Sequence, residues 1–271
     1  MRRRASPRIS QRDNIPERMV WNPKTYLAFA DERTRPAAEL LARVPDEAPE
    51  RVIDLGCGPG NSTALLRARW PDAALEGLDS SPDMLEQAKK SGIAAQWVQA
   101  DVAAWRAASP YDVVFSNATY QWLGDHASLL PRLIGFVRPG GTFAFQVPHN
   151  MDAPSHALMR ETAASEPWSA KLRNVREIAV LPPADYYGIL KPHAASVDIW
   201  ETEYLHVLSG ADAVYHWVSA TGLRPFVQAL DGAEREAFIV AYKARLNISY
   251  PPRSDGTTLF PFKRLFAVAR R

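Results

Sequence analysis

Residues 52–60 read Val-Ile-Asp-Leu-Gly-Cys-Gly-Pro-Gly, and Asp79 closes the next apolar run. A short β-branched run followed by glycines at alternate positions describes a buried strand turning sharply into a helix. Gly56, Gly58 and Gly60 lack a Cβ, so the backbone there can take positive φ and approach a ligand closely. An acid at the carboxyl end of the following strand is placed to accept both hydroxyls of a ribose. These residues predict a nucleoside site at the edge of a parallel sheet.

The charge of that nucleoside follows from the turn. A dinucleotide site carries Gly-x-Gly-x-x-Gly and seats pyrophosphate on the helix N-terminus. Here the spacing is Gly-x-Gly-x-Gly, and Asp54 stands two positions ahead of it. A carboxylate there repels a phosphate and attracts a cation, directly or through water. The run Asp54–Gly60 resembles motif I of the class I S-adenosylmethionine-dependent methyltransferases, whose cofactor carries an ammonium, a sulfonium and no phosphate.

Strand and helix signals alternate regularly up to Pro148. Pro23–Ala30 and Thr34–Ala42 read as amphipathic helices ahead of a first strand at Arg51–Leu55. Further strands are expected at Leu75–Asp79, Ala95–Ala100, Tyr111–Ser116 and Thr142–Val147. Helices fall between them at Ser62–Trp70, at Asp83–Lys90 behind Ser81-Pro82, and at Ala127–Val137, with a turn at Arg138–Gly141. Residues 149–195 then read as a cap with one helix near Ser155–Ala164. Val197–Val207 is a sixth strand, helices follow near Ala211–Ser219 and Glu234–Leu246, and Thr258–Val268 is a last, antiparallel strand. The fold expected is α/β, Rossmann-like and doubly wound, with a mostly parallel seven-stranded sheet. An α-helical cap is inserted after strand five and between the last two strands, at about 149–195 and 209–256.

The 271 residues, 46% hydrophobic, suit one such domain at 19–271. The net charge of +2 misleads, because residues 1–18 hold six arginines against Asp13 and Glu17, a contribution of +4, which leaves −2 for the rest. The basic character therefore belongs to a tail expected to be disordered, with Met19 an alternative start, and no nucleic-acid footprint is indicated. No apolar run reaches the roughly 18 residues of a membrane span. The single cysteine, Cys57, excludes internal disulfides, fits a reducing cytoplasm and reads as a packing residue under the ligand. The histidines show no metal-ligand spacing, and His149 alone lies past strand five towards the site mouth.

Within the methyltransferase resemblance the cofactor residues are Asp54, Gly56, Gly58, Gly60, Asp79, Ser80, Met84, Asp101, Val102 and Asn117. Asp79 is expected on the ribose, Asp101 on the adenine amino group with Val102 beside it, Asn117 on the methionine part, and Met84 on the adenine face unless it is plain core. Trp21–Tyr26 looks like an N-terminal lid in which Tyr26 closes over the sulfonium. The run Asn117-Ala118-Thr119-Tyr120 lacks the two prolines of methyltransferases that act on base amino groups, which counts against a nucleic-acid substrate.

Further segments resemble the trans-aconitate methyltransferase family over residues 20–271: Trp21-Asn22-Pro23, Asp31-Glu32-Arg33-Thr34-Arg35-Pro36, Gln121-Trp122, Thr221-Gly222-Leu223-Arg224-Pro225 and Tyr250-Pro251-Pro252. The resemblance implies formation of a monomethyl ester on one carboxylate of a small polycarboxylate. A carboxylic acid with a pKa of about 4 is already ionised, so no general base is required and none is assigned. Positioning falls to Tyr26 and Trp122, and the acceptor's other carboxylates to Arg33, Arg35, Arg224, Arg264 and Tyr250. Each arginine can equally be a surface ion pair. Another small acid, a carrier-bound acyl carboxylate or a quinol, a silent cofactor-binding module and a nicotinamide dehydrogenase are the competing readings.

Overall fold

Where β-branched and aromatic residues cluster, the chain forms strands, and the computed structural model, which describes residues 34–175, 178, 180–219 and 221–271, joins them in one sheet. The strands are β1 (Arg51–Leu55), β2 (Ala74–Asp79), β3 (Gln96–Gln99), β4 (Tyr111–Asn117), β5 (Val137–Pro148), β6 (Ser196–Ser209) and β7 (Thr257–Arg270). Their order is β3-β2-β1-β4-β5-β7-β6. Strands β1 to β5 run parallel, and β7 lies antiparallel between β5 and β6. The helices are α1 (Arg35–Ala42), α2 (Asn61–Arg69), α3 (Pro82–Lys90), α4 (His126–Ile134), α5 (Pro154–Ala164), α6 (Ser169–Leu172), α7 (Pro183–Leu190), α8 (Ala213–Ser219), α9 (Arg224–Gln228) and α10 (Gly232–Ser249). Among the described residues no helix is long and apolar enough to cross a membrane. The expected helix Pro23–Ala30 and the tail at 1–18 lie outside the described residues.

Two expectations change. The Arg138–Gly141 turn does not precede β5 but is absorbed into it as a bulge, because Tyr111 pairs with Val137 while Val113 pairs with Thr142. Gly140 takes φ +77°, and its N–H donates to the Arg271 carbonyl at 2.7 Å, so the chain's last residue ties the bulge down. The second change concerns the stretch expected as a cap. Helix α7 lies within it, yet Tyr186 and Leu190 pack in the sheet's own core with Phe145, and the Tyr186 hydroxyl meets His126 Nδ1 at 2.9 Å.

The remaining helical segments build a second core. Met159, Trp168, Val218, Phe226, Phe238 and Tyr242 close around Phe260 and Phe262 of β7. That is possible because β6 and β7 outrun the sheet. The β5–β7 ladder stops at Pro148 opposite Arg264, while the β6–β7 ladder continues from Glu203–Lys263 to Ser209–Thr257. The protruding ribbon forms a wall above the carboxyl ends of the parallel strands.

Candidate active site

The three glycines of the turn serve three different purposes. All have positive φ, +72° at Gly56, +55° at Gly58 and +98° at Gly60. A Cβ on Gly56 would overlap the Thr119 side chain, whereas one on Gly58 would meet nothing within 4 Å. At Gly60 it would lie 3.1 Å from Ile93 and Trp97, so this glycine, at the N-cap of α2, admits the Trp97 ring. Only Gly58 faces open space. Gly56→Ala should therefore cost about 2–4 kcal/mol of stability, from overpacking plus an unfavourable φ. Gly58→Ala should cost only about 1 kcal/mol but weaken cofactor binding. Urea unfolding and calorimetric titration of each variant check this split.

Asp54 is fully enclosed, and its Oδ2 accepts from Ser62 Oγ and Thr63 Oγ1 at 2.7 Å each, while Oδ1 has no partner. Through Oδ2 it anchors the first turn of α2. Burial pushes its carboxyl up to about 6, against the lowering effect of the two hydroxyls. The folded protein thus keeps a proton that the unfolded chain has lost between the ordinary carboxylate range and about pH 6. The stability this gives is complete at low pH and disappears as pH rises through 6. Measured against Asp54→Asn as the reference, the wild type should lose about 1 kcal/mol between pH 5 and pH 8 in parallel denaturation curves.

Asp79 ends β2 beside the turn. Its Oδ2 accepts from the Gly58 N–H at 2.9 Å and its Oδ1 from the Ser81 N–H at 2.8 Å, which fixes the carboxylate plane and leaves lone pairs for two more donors. Ser80 is exposed next to it. Met84 is 41% exposed on the first turn of α3, whose core face is Leu85 and Ala88, so Met84 is not core and stands ready for a ring. Past β3, Asp101 is exposed, with Oδ1 accepting from the Ala103 N–H at 2.8 Å. Val102 turns its side chain into the sheet's core and its carbonyl accepts from Arg132, so only its backbone N–H is left for a ligand. Cys57 is buried, and burial pushes its thiol up, in keeping with a packing role.

At the end of β4, Asn117 Oδ1 accepts from Gln146 Nε2, and Gln146 Oε1 accepts from Arg264 Nη1 at 3.2 Å. Arg264 is 7% exposed and lies over the Phe262 ring at 5.1 Å. Ala118 follows with φ +53°, a strained conformation for alanine that the sequence did not signal. It is held by a 3.0 Å bond from its N–H to the Gln146 carbonyl. Trp122 is 44% exposed on a short 3₁₀ turn past the same strand end.

The other acceptor candidates are placed differently. Tyr250 is buried in the second core, where its hydroxyl accepts from the Ser155 N–H at 3.1 Å and its ring packs edge-on to Phe260. Its ring belongs to that core, and its O–H donor is not committed by this bond. Arg224 is exposed at the first residue of α9. Arg35 pairs with Glu39 at 2.9 Å and lies over the Tyr204 ring at 4.9 Å. His149 contacts Glu201. Tyr26, the rest of Trp21–Tyr26, and Arg33 lie outside the described residues. Among those described, no group of three metal-ligating side chains occurs.

These features fit a cofactor with a ribose and a positive charge. The open Gly58 cradle lies against a fixed carboxylate, Asp54 keeps an unpartnered oxygen behind it, and the first turn of α2 carries no basic residue. Sheet order and turn together define a class I, Rossmann-like methyltransferase. A family model described as "Methyltransferase domain" matches residues 29–192. Trans-aconitate 2-methyltransferase of Azoarcus sp. strain BH72 is 53% identical over 253 residues, covering 93% of this chain and 99% of that protein. The protein of the same name from Methylobacterium radiotolerans is 52% identical over 255 residues, covering 93% and 98%. The chain belongs to the trans-aconitate 2-methyltransferase family. The fold recurs in the YcgJ protein of Bacillus subtilis, at a TM-score of 0.58 and 13% identity, covering 87% of this chain and 97% of that one. It recurs also in Haemonchus contortus phosphoethanolamine N-methyltransferase 2, solved with S-adenosyl-L-methionine, at a TM-score of 0.51 and 17% identity, covering 86% and 52%.

Proposed function

We propose that this chain transfers the methyl group of S-adenosylmethionine to one carboxylate of trans-aconitate, giving a monomethyl ester. The observation that carries the reading, beside the family, is an enclosed guanidinium at the strands' carboxyl edge: Arg264, tied through Gln146 to Asn117. A fixed cation there selects an anionic acceptor.

When bound, the cofactor supplies a methyl on a sulfonium, an electrophile that an ionised carboxylate oxygen attacks directly. The chain's part is to hold and orient. Asp79 accepts the ribose hydroxyls, with Gly58 giving close approach. Asp101 faces the adenine edge, Met84 its ring, and Asn117 the methionine part. Arg264 holds one acceptor carboxylate by charge-assisted hydrogen bonds, so that another is presented in line. Exposed Trp122 gives an apolar wall that excludes water, and the helical segments around the second core form the cap over the acceptor side. Tyr26, Arg33 and Arg224 remain further candidates for closing the site and pairing the remaining carboxylates. Positioning of this kind can be worth roughly 7–11 kcal/mol, so no proton-transfer group is needed. The lone, enclosed Cys57 supports a reducing compartment such as the cytoplasm.

Purified protein incubated with methyl-labelled cofactor should give a base-labile ester with trans-aconitate and no product with phenols or quinols. Labelling of another acid or a phenol, with none of trans-aconitate, would contradict the reading.

A further inference from the structure

On the protruding ribbon the usual alternation is inverted. Along β6 the apolar Leu205 and Val207 are 58% and 55% exposed, while Tyr204 and His206 between them are buried. Strands ordinarily turn their apolar face inward, and departures from that rule concentrate at functional sites. His206 is 5% exposed and boxed by rings, with Trp217 at 4.5 Å, Tyr204 at 6.1 Å, Phe262 at 6.1 Å and Phe260 at 6.4 Å between centroids. Its Nε2 is fully enclosed and meets no hydrogen-bonding partner among the described residues. A buried polar atom left in that state is costly, and a ligand group is one way to satisfy it.

The surroundings specify the charge of that ligand. Burial, with the nearby charges of Arg264 and Arg35 adding to it, pushes the His206 imidazole down to about 4, so it is neutral at physiological pH. Arg264 also lies over Phe262, and Arg35 over Tyr204, the two rings that flank the imidazole. A second enclosed polar atom, the donor Asn150 Nδ2, is likewise without a partner among the described residues, just past β5, where Asn150 Oδ1 accepts from the Lys263 N–H at 3.2 Å. Glu39 is the acid at hand, and it is already engaged by Arg35 and by the Tyr204 hydroxyl.

We infer that His206 is a specificity-determining residue of the acceptor site, its Nε2–H donating to a carboxylate of a polycarboxylate whose charge is balanced by Arg264 and Arg35. The inference rests on the function proposed above and names a contact that function alone does not require. A neutral donor set in an aromatic box between two cations rewards an acid with several carboxylates spread over a flat skeleton, and penalises a monocarboxylate.

Steady-state kinetics of His206→Phe and His206→Gln with trans-aconitate test it, with S-adenosylhomocysteine affinity measured by calorimetry. His206→Phe should raise KM about 10–100-fold, with kcat within about 3-fold and cofactor affinity unchanged. His206→Gln, whose amide N–H reaches the Nε2 position, should return KM to within about 5-fold of the wild type. If His206→Phe does not fold, His206→Asn replaces it and should show the same rise, because its amide reaches only the Nδ1 position. An active wild type with KM unchanged in the Phe or Asn variant overturns the inference and leaves the function standing. Equal impairment of all variants with lowered cofactor affinity overturns it in favour of a structural role. A wild type inactive on trans-aconitate overturns both.

Discussion

Asp79→Ala should weaken S-adenosylmethionine binding about 100- to 1000-fold, measured by calorimetric titration. The carboxylate is the one acidic group at the turn that is both fixed and half-exposed: two backbone N–H donors hold it, from Gly58 and Ser81. Two ribose hydroxyls donating to an ionised acceptor are worth roughly 1.5–3 kcal/mol each, and about 3–4 kcal/mol in total gives that range. The variant also releases the Gly58 N–H that shapes the cradle. Asp79→Asn, which keeps the shape and loses the charge, should fall between. A change below about 3-fold would place the ribose elsewhere. Nicotinamide dinucleotide should bind neither the wild type nor the variant, because the turn offers a phosphate no cation.

Arg264→Met should raise KM for trans-aconitate about 100-fold or more while leaving cofactor affinity alone. Truncating one partner of an enclosed, hydrogen-bonded charge pair costs roughly 2–5 kcal/mol, much of it from stranding the other charge. In the free protein the same change removes a donor from the buried Gln146 Oε1 and a cation from the Phe262 face, so calorimetric cofactor affinity is the control that separates a lost acceptor contact from a lost fold. Arg264→Lys should recover the charge but not the planar fork, and should restore part of the loss. A KM unchanged in both variants would remove Arg264 from the acceptor site.

Much of this was legible in the chain before its structure. The β1–α2 turn and Asp79 at the end of β2 follow from local spacing, because each is fixed by a strand end, whereas Arg264, in the middle of β7, is a candidate through the family resemblance alone. The roles within the turn were not legible. Gly56 and Gly60 are glycine because of Thr119 and Trp97, residues distant in sequence, and only contact reveals that. The same holds for Asp54, whose Oδ2 also anchors the hydroxyls of Ser62 and Thr63, a structural role that its place ahead of the glycines does not announce. Tyr250 sits in a motif-like run with prolines, yet Ser155 from α5 engages its hydroxyl.

His206 failed to stand out for a different reason. In Glu203–Leu208 the alternation assigns Leu205 and Val207 to the core, and the reverse is true because the ribbon has left the sheet's two-layer environment. The Arg138–Gly141 bulge escaped for lack of any local sign that Arg271 would cover it. Helix α7 was hidden in a proline-rich stretch whose Tyr186 finds its partner sixty positions away, at His126.

The most direct measurement is a crystal structure with S-adenosylhomocysteine and trans-aconitate both bound. The account predicts the ribose hydroxyls on Asp79, one acceptor carboxylate within about 3 Å of the Arg264 guanidinium, and a second carboxylate turned towards the cofactor's sulfur. An acid bound away from the β5–β7 edge, or a ribose that leaves Asp79 unengaged, would contradict it.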